Sequence, residues 1–488
     1  MQQKLCLAAL GNLRPSIATP TYDRKDLRAG IVHIGIGNFH RAHEAVYLDR
    51  LFNTGRDLDW AIIGAGVKSF DADRRAALQG QDWLTTVVEL DPKGYSARVT
   101  GAMIDFLPVD GVSLIERLAD PAIRIVSLTI TEGGYFLDAA GGFDAAHPDI
   151  VADAANPETP RTVFGVLLAG LQVRRARGHS PFTVLSCDNL PENGNVARQS
   201  VVGLAALIAP ELRDWVAGNV AFPNSMVDCI TPATSPREIA MVAEGFGIDD
   251  AAPVVCEPFR QWVMEDNFPL GRPALEHVGV EFVADVAPYE TMKLRILNAG
   301  HAAIAYAGAL LGHSYVHDAM ADPDIAAWLC QLMLREVIPV LPPHAGLDFP
   351  AYLDICMTRF ANPAIGDTIA RLCQDGSNRQ PKFVLPTLAD ALEKGTGIEG
   401  LALELALWCR YCAQPDAIIE DARADQLAAA ARASATDPTG FLRLDEVFGD
   451  LGSDPRLAVA FARQIGLLWS LGPRETLQAY IWSLPAPS

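Results

Sequence analysis

The sequence predicts an α/β fold: a doubly wound N-terminal domain followed by a mostly α-helical C-terminal domain. Three observations carry that expectation. Strand-like and helix-like segments alternate through the first half, a Gly-x-Gly turn closes the first buried strand, and strand candidates become scarce beyond about residue 288. The expected division is a nucleotide-binding domain over 1–287 and a helical substrate-binding and catalytic domain over 288–488.

Taken in order, residues 31–36 form a short apolar run ending in Gly35-Ile36-Gly37. One helix should follow, because Ala42, Ala45, Val46, Leu48, Leu51 and Phe52 share a face at helical spacing. Residues 60–63, 102–106, 123–130 and 182–186 are further buried-strand candidates, and 161–178 is a helical segment among them. Strand, helix and strand in repetition imply a parallel sheet covered on both faces. Helical periodicity then dominates at 292–311, 322–340, 349–360, 364–374, 386–394, 401–412 and 456–471. The Ala-rich stretch 425–435 is expected as a surface helix.

Composition narrows the function. The chain has 488 residues, half of them hydrophobic and a fifth charged, enough apolar material for two large cores. Against 39 Lys and Arg stand 59 Asp and Glu, a net charge of -20 that repels phosphate backbones and anionic lipid heads. Nucleic acid and membrane partners are therefore not expected. Nine cysteines without framework spacing suit reduced thiols and a cytoplasmic protein. Cys409 and Cys412 form a lone C-x-x-C in an apolar helical run and are expected as buried helix cysteines.

A turn with two glycines between a buried strand and a helix is where a dinucleotide pyrophosphate binds. The glycines permit close backbone approach, and the helix start presents unpaired N–H groups. Gly35, Ile36, Gly37, Asn38, Phe39, His40 and Arg41 are the candidates here, with His40 in place of the usual third glycine. Alone, this turn is a weak signal, since tight strand-to-helix connections use it without a ligand. Asp71, 34 residues beyond Gly37, is the first acidic residue after the second strand and the candidate for the adenosine ribose. A carboxylate there repels a 2′-phosphate and favours NAD, although Lys68, Arg74 and Arg75 lie close by. His40 and His43 could share a metal on one helix face, but no H-e-x-x-H motif or Cys/His cluster supplies further ligands, so no metal is expected.

The most informative segment is Tyr289-Glu-Thr-Met-Lys293-Leu-Arg-Ile-Leu-Asn298-Ala-Gly-His301. On an α-helix Lys293, Asn298 and His301 fall within an arc of roughly 140°. The surroundings are apolar and small. Burial disfavours the ammonium form of a lysine, which suits a general base at neutral pH. A solvated stripe with a capping asparagine is the structural alternative. Residues 186–194, with Asn189 and Asn193, follow a strand end, where parallel sheets place their ligands. Asp228 closes a short polar cluster in apolar context.

Together these segments resemble the mannitol 2-dehydrogenases, the polyol-specific long-chain dehydrogenases. The likeness rests on residues 31–43, Leu128-Thr-Ile-Thr-Glu-Gly-Gly-Tyr135, Cys187-Asp-Asn-Leu-Pro-Glu-Asn-Gly194, residues 222–228 and residues 292–301, and covers nearly the whole chain. The resemblance implies a Rossmann-type N-terminal domain, NAD as cofactor, no metal, and a monomer or small homo-oligomer. It implies Lys293 as the base, Asn189 and Asn298 on the reacting oxygen, and His301 on substrate hydroxyls. Asp228 would support the lysine, Arg371 and Arg379 would reach the polyol tail, and Thr131 and Glu132 would join Asp71 at the cofactor. The chain departs from the pattern at Phe70, where some relatives carry a second carboxylate, and at Arg379, where a lysine can stand. The expected reaction is oxidation of a polyol such as mannitol, arabinitol or sorbitol to a ketose. Reduction of a uronate such as fructuronate, with Arg371 or Arg379 on its carboxylate, is the rival reaction, and a non-catalytic NAD sensor the rival class.

Overall fold

The computed structural model describes residues 2–138 and 141–483, which fall into two compact units divided between Ala287 and Pro288. In the first unit a five-stranded parallel sheet is built from β1 (Ala29–Ile34), β2 (Ala61–Ala65), β3 (Met103–Phe106), β4 (Ile125–Leu128) and β5 (Thr183–Ser186). Its order is β3-β2-β1-β4-β5, and every pairing is parallel. The strands are near-continuous runs of Ile, Val, Leu and Ala because helices bury them on both faces. Chain order reverses between β1 and β4, and at such a switch point the strand ends open a crevice for ligands.

The sequence expectation of one helix after the glycine turn is corrected. Two helices stand there, α1 (Asn38–Ala42) and α2 (Glu44–Phe52), broken at His43 with φ −117° and ψ −89°. Periodicity in apolar residues continues across the break, so it could not reveal it. The loop after β2 leads into α3 (Asp71–Gln79). Two three-stranded sheets that alternation did not flag also belong to the unit. One places β6 (Ser225–Asp228) antiparallel to β8 (Gln261–Glu265), and the other includes β7 (Val254–Cys256).

In the second unit, α4 (Ala287–Met292) runs into a π-helical turn, Lys293–Asn298, and on into α5 (Ala299–Leu310). α5 is buried on nearly all sides, which its Ala and Gly content allows: a Cβ on Gly300 would lie 3.0 Å from the Phe360 ring. Around it pack α6 (Phe349–Phe360), α7 (Ile369–Leu372), α8 (Gly376–Phe383) and α9 (Glu399–Cys412). The helix expected over 364–374 shrinks to the four residues of α7. Cys409 and Cys412 are buried on α9, as their apolar context implied. No helix among the described residues is long and apolar enough to cross a membrane.

α9 also buries Glu404, whose Oε1 accepts a 2.6 Å hydrogen bond from Gln380 on α8 while Oε2 has no partner. Burial pushes this carboxyl up to about 8 from 4.5. A carboxyl raised on folding stabilises the native state fully below its unfolded value, and that contribution is lost as pH rises through the folded one. One proton corresponds to about 1.4 kcal/mol per pH unit. Thermal melting of the wild type is therefore expected to fall between about pH 4.5 and 8, and Glu404→Gln to flatten that slope. Equal slopes for the two proteins would refute the assignment.

Candidate active site

The first group of candidates surrounds the switch point of the parallel sheet. Gly35 has φ +102°, and a Cβ there would lie 2.1 Å from the Thr129 carbonyl oxygen at the end of β4. Only glycine fits. Gly37 has an ordinary φ of −83° and caps α1 without a side-chain hydrogen bond. A Cβ on it would meet nothing nearer than the Gly35 oxygen at 3.9 Å, so open space borders the turn. This is the cradle a pyrophosphate needs: no side chain over the turn and first-turn N–H groups beneath it. The residues present fit a dinucleotide.

His40 shows how the turn dispenses with a third glycine, whose usual service is close contact between helix and strand. Its ring stacks on His33 of β1 with centroids 3.5 Å apart and planes at 22°. Glu44 ties the pair together, 2.9 Å from His33 Nδ1 and 3.2 Å from His40 Nδ1, and accepts from Ser127 Oγ at 3.0 Å. His33 Nε2 reaches Thr129 Oγ1 at 2.9 Å, and that hydroxyl donates to the Gly35 carbonyl at 2.6 Å. Burial, with His33 beside it, pushes the His40 imidazole down to about 4, so it is neutral and donates to Glu44 through Nδ1. Burial opposes ionisation of Glu44, but the His33 and His40 contacts outweigh it and hold that carboxyl below its usual range.

His33, His40 and Glu44 bring donor atoms within 4.8 Å of one another, close enough to suggest a cation site. The stacking argues against one. Imidazole lone pairs lie in the ring plane, and a cation in the plane of one of two stacked rings is well out of the plane of the other. His40 and His43 do not share a ligand either: His43 Nε2 bonds the Gln261 carbonyl at 3.0 Å.

The remaining members of the turn have structural work. Arg41 is buried and donates from Nε to the Gly37 carbonyl at 3.1 Å, from Nη2 to Asn38 Oδ1 at 2.7 Å, and from Nη1 to the Ala252 carbonyl. Burial and the charge of Arg74 push its guanidinium down to about 9. Its donors are thus engaged in bracing the turn. Asn38 Nδ2 donates to Thr234 Oγ1 at 3.0 Å, Phe39 stacks on His43 at 4.8 Å, and Ile36 is buried in the core. Asp71 opens α3, and its Oδ2 accepts the Lys68 N–H at 2.9 Å in the loop after β2. Phe70 beside it is 69% exposed.

The end of β5 holds the second group. Asp188, buried directly before Asn189, accepts from the N–H groups of Ile130 and Thr131, each at 2.9 Å, and from the Tyr135 hydroxyl at 2.7 Å. Thr131 has φ +63°, a conformation a β-branched residue adopts only under restraint. Asn193 Nδ2 donates to the Asp188 carbonyl at 3.0 Å and to the Ser225 carbonyl at 2.8 Å, and its Oδ1 accepts the Ser225 N–H at 2.9 Å. One chain of hydrogen bonds therefore connects Thr131 at the end of β4, Asp188 directly before the exposed Asn189, and Ser225, the first residue of β6. Asp188 escaped the sequence reading because an Asp after a strand is an ordinary turn residue, and Asn193, though noticed there, could not be told from one. For Glu44 a signal existed, its i, i+4 spacing from His40.

Asp188→Asn is expected to leave one N–H donor of the loop facing an amide N–H₂. Each unsatisfied buried group costs about 1–3 kcal/mol, so melting should drop by several degrees. An unchanged melting temperature would show that the loop holds its shape without this carboxylate.

The third group lies in the second unit. Lys293 is 8% exposed and opens the π-turn, in which the Ala299 N–H reaches back five residues to the Leu294 carbonyl. Bonding at i to i+5 widens the turn, so residues 293–298 do not follow α-helical spacing. The roughly 140° arc expected from α-helical spacing is corrected accordingly. Asn298 has helical φ and ψ of −72° and −40° and makes no capping bond, so the capping alternative fails. His301 packs on Phe360 at 4.4 Å. Burial, reinforced by Arg371, Arg359 and Arg379 against the pull of Asp367, pushes its imidazole down to about 3. Exposed Arg371 makes a bidentate pair with Asp367 at 2.6 and 2.5 Å. Arg379 Nη1 donates to the Leu372 carbonyl at 2.7 Å, beside the Phe383 ring.

Comparison with known proteins matches this arrangement. Residues 29–277 match the mannitol dehydrogenase Rossmann domain, and residues 285–469 match the mannitol dehydrogenase C-terminal domain. A mannitol 2-dehydrogenase of Cereibacter sphaeroides is 55% identical over 473 residues, 96% of this chain and 99% of the relative. Among solved structures, Pseudomonas fluorescens mannitol 2-dehydrogenase in a ternary complex with NAD and D-mannitol is 44% identical, with TM-score 0.85 over 99% of this chain and 100% of the other. A D-sorbitol dehydrogenase in substrate-free form is 35% identical, with TM-score 0.91 over 97% of this chain and 100% of the other. A parallel sheet with a glycine turn at its switch point, a helical second unit and these full-length identities place the chain in the mannitol dehydrogenase family.

Proposed function

We propose that this protein oxidises a secondary alcohol of a polyol to a ketose with NAD, mannitol to fructose being the leading case, with Lys293 as general base and no metal ion. The observation that carries the reading is the π-turn, which buries Lys293 and ends on Asn298. NAD, when bound, supplies the hydride acceptor. Gly35, Ile36, Gly37, Asn38, Phe39 and His40 would hold its pyrophosphate, with Arg41 bracing the turn. Asp71 would hold the adenosine ribose, and Thr131 and Glu132 would contribute from the end of β4.

Lys293 takes the hydroxyl proton in its uncharged form, which burial favours. Asn189 and Asn298 donate hydrogen bonds to the oxygen as it gains charge, an arrangement that is most effective when the donors are fixed beforehand. His301 orients neighbouring hydroxyls as a neutral imidazole, Asp228 supports the lysine, and Arg371 and Arg379 address the far end of the polyol. The rival uronate reaction needs a cation to receive a carboxylate, and Arg371 already pairs with Asp367.

A panel of mannitol, sorbitol and arabinitol with NAD, and of fructuronate with NADH, followed by NADH absorbance, tests the reading. Turnover of mannitol or another polyol supports it. Activity on fructuronate alone, or NAD binding with no turnover, overturns it. Asp71→Ser is expected to lower the preference for NAD over NADP by about tenfold, equivalent to about 1.4 kcal/mol of lost repulsion. Unchanged kcat/KM ratios for the two cofactors would remove Asp71 from the ribose site.

A further inference from the structure

Cys229 follows Asp228 at the end of β6, and Cys256 is the last residue of β7. Two hydrogen bonds lock these chain segments together: the Glu257 N–H donates to the Ile230 carbonyl at 2.9 Å, and the Ile230 N–H to Glu257 Oε1 at 2.6 Å. Both cysteines lie in one small buried cluster with Ala42, Val46, Val87 and Val254. The two thiols are not equivalent. Arg260 Nη2 lies 3.1 Å from Cys256 Sγ, while its Nε bonds the Ala42 carbonyl at 2.7 Å and its Nη1 bonds Glu89 at 2.6 Å. A buried guanidinium thus sits on one of the two sulfurs and not on the other. The hydrogen bond from Cys229 and the charge of Arg260 hold Cys256 below the usual thiol range despite burial, and the same contact drives Cys229 well above it. A low-pKa sulfur beside a neutral thiol is the division of labour found in attacking and resolving cysteines.

We propose that Cys229 and Cys256 form a peroxide-responsive dithiol, Cys256 attacking and Cys229 resolving, which closes to a disulfide and inactivates the enzyme by drawing on the strand end that carries Asp228. In the first step the Cys256 sulfur attacks one peroxide oxygen and the O–O bond breaks. Cys256 becomes a sulfenic acid, and the released hydroxide leaves as water after taking up a proton from solvent. In the second step the Cys229 sulfur attacks the Cys256 sulfur and the S–O bond breaks. The hydroxide leaves as a second water with the Cys229 proton. Two thiols are oxidised to one disulfide while one peroxide is reduced to two waters, and an added dithiol reverses the change. Cys229 is 7% exposed and Cys256 fully buried, so the oxidant must be as small as a peroxide; a bulky disulfide such as oxidised glutathione is excluded by size.

The test uses the full-length enzyme with hydrogen peroxide. Free thiols are then blocked with iodoacetamide in denaturant, peptides are mapped by mass spectrometry, and turnover is measured alongside. The expected result is a linked Cys229–Cys256 peptide whose yield follows at least tenfold loss of activity, both reversed by dithiothreitol. Cys229→Ser should give no linked peptide and a dimedone-trapped Cys256. Cys256→Ser should keep its activity through the same treatment. Recovery of both wild-type cysteines as alkylated thiols overturns the proposal, with no variant needed. The effect on turnover rests on the role proposed for Asp228, whereas the disulfide does not. A linked peptide with unchanged activity would therefore overturn the inactivation and Asp228's part in it while leaving the dithiol chemistry standing.

Discussion

Replacing Lys293 with alanine should lower kcat by about a thousandfold or more while leaving NAD affinity within about twofold of wild type. A positioned general base contributes about 10²–10⁴ in rate, and no other amine shares its π-turn. The lysine belongs to the second unit and the glycine turn to the first, so cofactor binding should survive the change. Added methylamine should restore part of the lost rate, because a free amine can occupy the vacated volume and accept the proton. Intrinsic fluorescence titration with NADH and initial-rate assays would measure the two effects separately. Activity within tenfold of wild type would end the assignment of Lys293 as the base.

Gly35→Ala and Gly37→Ala should behave oppositely although both alter the same turn. At Gly35 the added Cβ meets the Thr129 carbonyl oxygen at 2.1 Å and the backbone sits at φ +102°. Positive φ alone costs a non-glycine residue about 1–3 kcal/mol, and the clash adds to it because its partner is backbone in a buried sheet. Melting should fall by more than about 5 °C, and NAD affinity should fall at least tenfold as the turn shifts. At Gly37 the backbone is relaxed and the space is open, so melting should stay within about 2 °C of wild type. The methyl group nevertheless enters the space proposed for the pyrophosphate, and affinity for NAD should still drop at least tenfold. Wild-type affinity in Gly37→Ala would show that the cofactor does not lie over this turn.

Much of this was legible in residues 31–37 and 292–301 because both signals are local. A buried strand ending in two glycines and a lysine among alanines and leucines can each be read within a dozen residues. The stacked His33 and His40 could not be read this way, since one lies on β1 and the other on α1, and their bond runs through Glu44 on α2. The bonds that Asp188 and Asn193 make were hidden for the same reason. Their partners, Ile130, Thr131, Tyr135 and Ser225, stand 32 to 58 residues away in the chain. Apolar periodicity reports which face of a segment is buried and stays silent about how the backbone bends to bury it, so neither the break at His43 nor the π-turn left a trace in it.

The sequence by itself determined the class of fold, the position of the glycine turn and the small apolar setting of Lys293, because composition, periodicity and glycine's unique conformational range act over a few neighbouring residues. Only the tertiary structure decided that Lys293 and Asn298 share a π-turn, what takes the place of the third glycine, and which cysteines pack together. Those outcomes depend on hydrogen bonds and packing between segments far apart in the chain, whose energies exist only once the segments are brought together.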